Sequence, residues 1–312
     1  MKKIAINFTD FWDGFNKKEN YFYRLLKTKY DVVISDSPEL IIYSCFGNEY
    51  LKYNCKRVYY TGENIRPDLT GCDFAFSFDF SNNKRHFRLP LYSLYIEQDR
   101  MYDKLKFLKK KDELRRIWEK KNKFVCMVVS NPNAKFRLDF FKELSKYRTV
   151  DSGGKVFNNV GGRVACKTEF INSYKFVLAF ENSSFDGYTT EKILEPIFTD
   201  SIPIYWGNKL IDKDFNPKRF INYNDYGSVE KLYARLVEIE NNPDIAIGIL
   251  SQPIFDMDSN GFENERKKVL NIFSILIESK KRPIAKSYKS YIHFLKVFIR
   301  KFKKKVLKLK NN

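Results

Sequence analysis

Apolar residues come in short runs separated by longer, periodic segments. KIAINF (3–8), DVVIS (31–35), LIIYSC (40–45), RVYYTG (57–62) and FAFSF (74–78) read as strands, and residues 17–29 read as a helix. This alternation predicts a doubly wound, largely parallel sheet. Residues 103–123 break the pattern with DKLKFLKKKDELRRIWEKKNK, dense in charge and poor in apolar residues. That stretch reads as a solvated helix or linker and as a domain boundary. A second α/β pattern starts at KFVCMVVSN (123–131) and continues through the amphipathic RLDFFKELSKY and through TEFINSYK, with helices expected near 228–240 and 261–279.

The segment FVLAFENSSFDGYTTEKILEPIFTDSIPIYWGN (176–208) compresses a strand, a polar loop, a helix start and a second strand. Gly187 permits the turn, and Thr189 or Thr190 is placed to cap the helix. Pro196 would cost about 3 kcal/mol inside a regular helix, so the helix should kink there or begin later than its caps suggest. The loop carries Glu181, Asp186, Glu191 and Lys192, and loops at the C-terminal edge of parallel strands are where α/β proteins bind ligands.

The last segment, KSYIHFLKVFIRKFKKKVLKLK, sets Tyr291, Leu295, Phe298, Phe302, Val306 and Leu309 at helical spacing among lysines and arginines. It reads as a basic amphipathic helix for an anionic membrane surface, spanning 284–310. Its charge also changes how the composition is read. The net charge is +19, but thirteen Lys or Arg and no acidic residue lie from Lys280 onward, which leaves +6 on the rest. Basicity confined to an appendage argues against nucleic acid as the partner. The expected organisation is a first domain at 1–120, a second at 121–279 and a basic tail at 280–312.

With 312 residues, 43% hydrophobic and 17% aromatic, the chain can bury two sizeable cores. Five scattered cysteines without a CxxC pair indicate reduced thiols and a cytoplasmic location. The opening MKKIAINFTDFWDG reads as a strand rather than a signal peptide, and no apolar run approaches a membrane span.

Several chemistries are missing. The two histidines, His86 and His293, lie in unrelated contexts, and no P-loop, zinc-ligand cluster or Ser-His-Asp order occurs. GGKVFNNVGG (153–162) reads as a pair of turns. The two DxD triplets, Asp212-Lys213-Asp214 and Asp256-Met257-Asp258, read as structural rather than as metal ligands. No metal site is expected.

FEN–GYTTEK–PIYWG resembles the α-1,3/1,4-fucosyltransferases, most closely their bacterial members. VYYTGEN (58–64), RLPLY (88–92), VVSNPNAKFRLDFFKELSKYRTVDSGG (128–154) and DFNPKRF (214–220) also look like family segments in the expected order, covering roughly residues 1–275. The resemblance implies two Rossmann-like α/β domains facing each other across a cleft, the glycosyltransferase B architecture. The first would take the acceptor, the second GDP-fucose. It implies inverting transfer of L-fucose to a hydroxyl of N-acetylglucosamine or glucose in an oligosaccharide or glycolipid acceptor, with an α-1,3, Lewis x-like product.

The same resemblance places Arg137, Tyr188 and Lys192 on the diphosphate, where charge accumulates as GDP departs. It places Glu191 on the ribose hydroxyls, and Glu181 and Asn182 in the loop around the fucose. Glu63 matches the family's general base. No cofactor is essential; Mn²⁺ or Mg²⁺ would at most stimulate through the diphosphate. The enzyme would sit at the inner face of a bacterial cytoplasmic membrane. Competing readings are a transferase using another GDP-sugar, or a non-catalytic basic protein that binds membrane or nucleic acid. The aromatic stretches FTDFWDGF (8–15) and YSCFGNEY (43–50) offer sugar-stacking surfaces or ordinary packing.

Overall fold

Each apolar run in the first ninety residues becomes a strand. β1 (Lys2–Thr9), β2 (Tyr30–Ile34), β3 (Leu40–Tyr43), β4 (Lys56–Tyr60), β5 (Phe74–Ser77) and the short β6 (His86–Arg88) form a sheet ordered β2-β1-β3-β4-β5-β6, with every neighbouring pair parallel. β3 and β5 are buried at every position, as strands covered on both faces must be. The computed structural model describes residues 1–98, 101, 105, 107–255 and 261–310, which places Asp256 and Asp258 outside the described residues.

A second parallel sheet, ordered β11-β10-β9-β7-β8, is built from β7 (Lys123–Met127), β8 (Asp151–Ser152), β9 (Tyr174–Phe180), β10 (Ile202–Trp206) and β11 (Ile221–Asn222). The described helices are α1 (Tyr21–Lys27), α2 (Leu91–Gln98), α3 (Lys111–Lys120), α4 (Lys135–Ser145), α5 (Lys167–Asn172), α6 (Leu194–Phe198), α7 (Val229–Asn241), α8 (Pro243–Leu250), α9 (Gly261–Glu278) and α10 (Tyr288–Lys310). The fold class is that of two parallel-sheet α/β domains, as expected.

Where the chain divides differs from the expectation. The compact units are Met1–Leu89 with Asn260–Asn312, and Pro90–Ser259, rather than 1–120, 121–279 and 280–312. Apolar packing explains both shifts. In α3, Leu114 and Trp118 stand four residues apart and join the core of the second unit, with Trp118 edge-on to Phe176 at 5.6 Å. Two apolar residues make a stripe narrow enough to be hidden by the surrounding charges, so this helix is a packed element and not a solvated linker. Lys121, just beyond it, is also buried, its ammonium donating to the carbonyls of Asn172 and Thr199 and to Ser201 Oγ. Burial lowers its pKa to about 8.

At the other boundary, α9 packs on the first sheet. Its Phe273 stacks on Phe76 at 5.5 Å and meets Phe22 of α1 at 5.8 Å. The segment beyond it belongs to the same unit. Arg57, fully buried, donates to the carbonyls of Leu51 and Tyr53 and to Ser290 Oγ, and Asp73 accepts from the Ile284 amide. Among the described side chains of α10, His293 and Val297 are buried, while Tyr291, Leu295, Phe298, Ile299 and Phe302 face outward. The tail is therefore docked by its less apolar face. No described helix is long and apolar enough to cross a membrane.

Candidate active site

In the second sheet the chain runs from β7 outward to the edge strand β8 and then returns to β9 on the other side of β7. The C-terminal ends of β7 and β9 therefore diverge at a switch point, where open parallel sheets hold their ligands. Arg137 reaches it from α4 and the FEN segment from the end of β9.

Arg137 is buried. Its Nη1 donates to Phe180 O and to Asn182 Oδ1, both at 3.1 Å, and Nη2 to Asn131 O at 3.4 Å, while the buried Nε has no partner among the described residues. Burial lowers the guanidinium pKa; Glu181 and Tyr188 oppose that shift, and the side chain stays charged throughout the ordinary pH range.

Glu181 has no exposed surface. It accepts from the Thr190 amide at 2.7 Å, Thr190 Oγ at 2.8 Å and Lys192 Nζ at 3.2 Å. Burial raises its carboxyl pKa, against the opposing pull of Lys192. Burial likewise works against the charge of Lys192, but Glu181 and Glu191 outweigh it and hold the ammonium above its ordinary value. Glu191, half-buried, lies 3.9 Å from Lys192 Nζ. Tyr188 is buried next to this cluster, close enough to act on Arg137 electrostatically.

One expectation about this loop needs correction, and the later helix start suggested by Pro196 is what the structure has. Neither threonine caps a helix: Thr190 gives its hydroxyl to Glu181, and Thr189 donates to Asp214 Oδ2 at 2.8 Å. Residues Glu191–Ile193 form a 3-10 turn, and α6 begins only at Leu194, so Pro196 falls in its first turn, where its missing amide proton does no harm. Nearby, the Glu195 carboxylate is held by Lys167, while Lys192 is paired with Glu181.

The structure adds residues that the sequence does not place at this loop, Asp214 of the first DxD triplet among them. Asn208 accepts from the Gly187 amide at 2.7 Å, donates to Thr189 Oγ at 3.0 Å and to Asp214 Oδ2 at 3.2 Å, and so ties the PIYWG strand to the loop. Asp214, also bonded by Tyr92 OH at 3.1 Å, is a buried keystone. Gly207 has φ 155°, and a Cβ there would lie 2.5 Å from Glu181 Cγ, so the burial of Glu181 itself demands the glycine. A side chain at Gly154 would meet Val129 O at 2.0 Å; the glycine pair closes the loop against the end of β7. Phe136, beside Arg137, stacks on Trp206 at 4.1 Å and remains partly exposed. The signal for this framework in the sequence is the closeness of TTEK and YWGN, which Asn208 and Thr189 link in the fold.

Six of the seven expected residues, Arg137, Glu181, Asn182, Tyr188, Glu191 and Lys192, thus converge in the second unit. Glu63 lies in the first, exposed on the loop after β4, where its amide donates to Thr61 Oγ at 3.0 Å. Its carboxylate has no hydrogen-bond or ion-pair partner among the described residues. The same is true of metal-binding clusters: no three His, Cys, Asp or Glu side chains converge among the described residues.

Two family models match this chain: the N-terminal domain of alpha-(1,3)-fucosyltransferase FucT over residues 6–95, and the C-terminal region of glycosyltransferase family 10 (fucosyltransferase) over residues 118–246. The chain belongs to the family 10 fucosyltransferases. It is 31% identical to the alpha-(1,3)-fucosyltransferase FucT of Helicobacter pylori over 317 residues, covering 89% of this chain and 66% of that one. It is 33% identical to human 4-galactosyl-N-acetylglucosaminide 3-alpha-L-fucosyltransferase 9 over 126 residues, covering 39% of this chain and 34% of the other. A crystal structure of an alpha1,3-fucosyltransferase with GDP-fucose matches with a TM-score of 0.74 at 28% identity, over 90% of this chain and 92% of that one. The chain thus spans just under two thirds of the Helicobacter protein and nearly all of the crystallised one.

Proposed function

We propose that this chain is an inverting α-1,3-fucosyltransferase that moves L-fucose from GDP-β-L-fucose to a hydroxyl of N-acetylglucosamine or glucose in a lactosamine-type acceptor. The observation that carries it is the pairing of two fixed cations, Arg137 and Lys192, at the switch point of the second sheet, in a family whose crystallised member carries GDP-fucose.

As the glycosidic bond to GDP breaks, the β-phosphate gains negative charge. Cations already fixed in a desolvated setting stabilise that charge without reorganising. Arg137 and Lys192 meet this requirement, since both are held by hydrogen bonds before any ligand binds. Inversion needs one displacement and one general base. Glu63 takes the acceptor proton as the acceptor oxygen attacks the anomeric carbon from the face opposite GDP. Glu191 accepts from the ribose hydroxyls. A divalent ion is not required in this scheme.

The outward apolar face of α10, with Phe298 and Phe302 exposed and Lys296 and Lys303 near them in sequence, supports peripheral binding to an anionic membrane surface at the inner leaflet. The test of the reaction is a mass-spectrometric transfer assay with GDP-fucose and lactose, N-acetyllactosamine or its β-1,3-linked isomer. Fucosylated N-acetyllactosamine is the expected product. Donor binding without transfer to any of the three would refute the lactosamine acceptor, and absence of donor binding would refute GDP-fucose.

A further inference from the structure

The first sheet has a switch point of its own. The chain leaves β1 for β2 on one side and returns to β3 on the other, so the loops after β1 and β3 border a crevice. Asp10, at φ 59°, accepts from the amides of Glu49 and Tyr50, each at 2.8 Å, and a Cβ on Gly47 would lie 2.1 Å from its carboxylate. These contacts pin the two loops together. They bring the two aromatic stretches of the sequence side by side: Trp12 meets Phe46 edge to face at 6.4 Å, and both remain about half exposed, at 48% and 52%.

Beside them lies a cavity of about 350 Å³ whose walls include Tyr43, Tyr59, Phe46, Arg66, Arg300 and Lys301. The last two come from α10. That helix is fixed by His293, whose ring bonds to Tyr50 OH at 2.6 Å and is packed so closely on Gly71 that a Cβ there would lie 2.5 Å from it. Asp68, the carboxylate in the wall, is occupied by Thr70, His293 and Lys296. Arg66 shares Asp79, whereas Arg300 and Lys301 have no ion-pair partner among the described residues. The cavity adjoins the candidate base: Thr61 Oγ accepts from the Glu63 amide and donates to Cys45 Sγ, which lines the wall.

A neutral disaccharide has no use for three cations. We propose that this cavity binds a phosphate-bearing acceptor saccharide, with a sugar ring against Trp12 and Phe46 and the phosphate received by Arg66, Arg300 and Lys301. The proposal rests on the fucosyltransferase reading and assigns α10 a role in acceptor recognition besides any membrane contact.

Calorimetric titration of the full chain with N-acetyllactosamine, and with the same sugar carrying a phosphate at its reducing end, tests it. The phosphorylated sugar should bind about tenfold tighter, the effect of roughly one charge-assisted hydrogen bond. Arg300→Ala with Lys301→Ala should abolish that preference, and Lys280→Ala with Lys281→Ala, which removes two cations away from the cavity, should preserve it. Equal affinities in the wild type, or an unchanged preference in the Arg300/Lys301 variant, would overturn the proposal. So would inorganic phosphate competing as well as the phosphorylated sugar, which would mean an ion site only. Displacement by phosphatidylglycerol vesicles would assign the cations to lipid headgroups instead and overturn it too. If the phosphorylated sugar binds as expected but accepts no fucose, the reaction assignment falls and the cavity assignment stands.

Discussion

The two switch-point crevices of this molecule are built on opposite plans. In the second unit, Lys192 bonds to the buried Glu181 while the buried Arg137 is held by Phe180 O and Asn182, so the residues that would hold the diphosphate also hold the loop together. In the first unit, Glu63, Trp12, Phe46 and Arg300 are exposed, the two aromatics on loops that Asp10 pins together and Arg300 on the helix that His293 fixes. The proposed function accounts for the difference by what each would bind. A diphosphate needs cations already fixed in a low-dielectric setting, which only burial provides. A proton-accepting carboxylate and a sugar-stacking surface need access. Chemistry and stability should therefore be inseparable in the second crevice and separable in the first.

The largest effect should come from the open side. Glu63→Gln removes the proposed base without touching any partner, so kcat should fall by about 10² to 10⁴. Its melting temperature should stay within about 2 °C, because exposed substitutions rarely exceed ~0.5 kcal/mol. A large loss of stability in calorimetry would erase the contrast between the crevices.

On the buried side, Lys192→Met strands Glu181 without its counter-charge and should destabilise the fold by about 3–5 kcal/mol, readable by urea titration. Combining it with Glu181→Gln should recover much of that stability but not GDP affinity. Recovery of both would show that the pair is structural only.

Removing 284–312 strips Arg57 of Ser290 and uncovers the Tyr50 hydroxyl, so a loss of about 1–3 kcal/mol is expected along with release from vesicles. Phe298→Ser with Phe302→Ser should weaken vesicle binding as measured by flotation and leave the melting temperature unchanged, since both rings are exposed.

The smallest effect concerns pH. His293 is buried among Tyr50, Thr70, Asp68, Arg57 and Lys296. Burial lowers its pKa below the usual value, with Asp68 opposing. The folded state then resists protonation, so stability is present above about pH 6.5 and is lost as pH falls from there towards the folded pKa. Amide exchange around Val297, corrected for intrinsic rate, should accelerate at pH 5.5 relative to pH 7.5, and His293→Gln should flatten that dependence.

Strand positions were legible in the sequence because fully buried strands need uninterrupted apolar runs, and KIAINF, LIIYSC and FAFSF have them. The residues gathered at the second switch point were legible through the resemblance, which rests on FEN and TEK lying close together in the chain. The helix over 111–120 was misread because Leu114 and Trp118 are a two-residue stripe in a charged background. In the tail the strongest apolar periodicity, through Leu295, Phe298 and Phe302, is the face left outward, and His293 and Val297, buried against the first unit, carry no comparable signal.

Local pattern by itself thus determined which segments become strands and where the cations and carboxylates of the two loops fall along the chain. Tertiary structure alone decided that α9 and α10 complete the first unit, that Thr190 serves Glu181 rather than a helix, and that Trp12 meets Phe46. Each of these is a contact between segments distant in sequence or a competition among hydrogen-bond partners. Such choices depend on which groups burial leaves in need of one, and residue spacing carries no record of that.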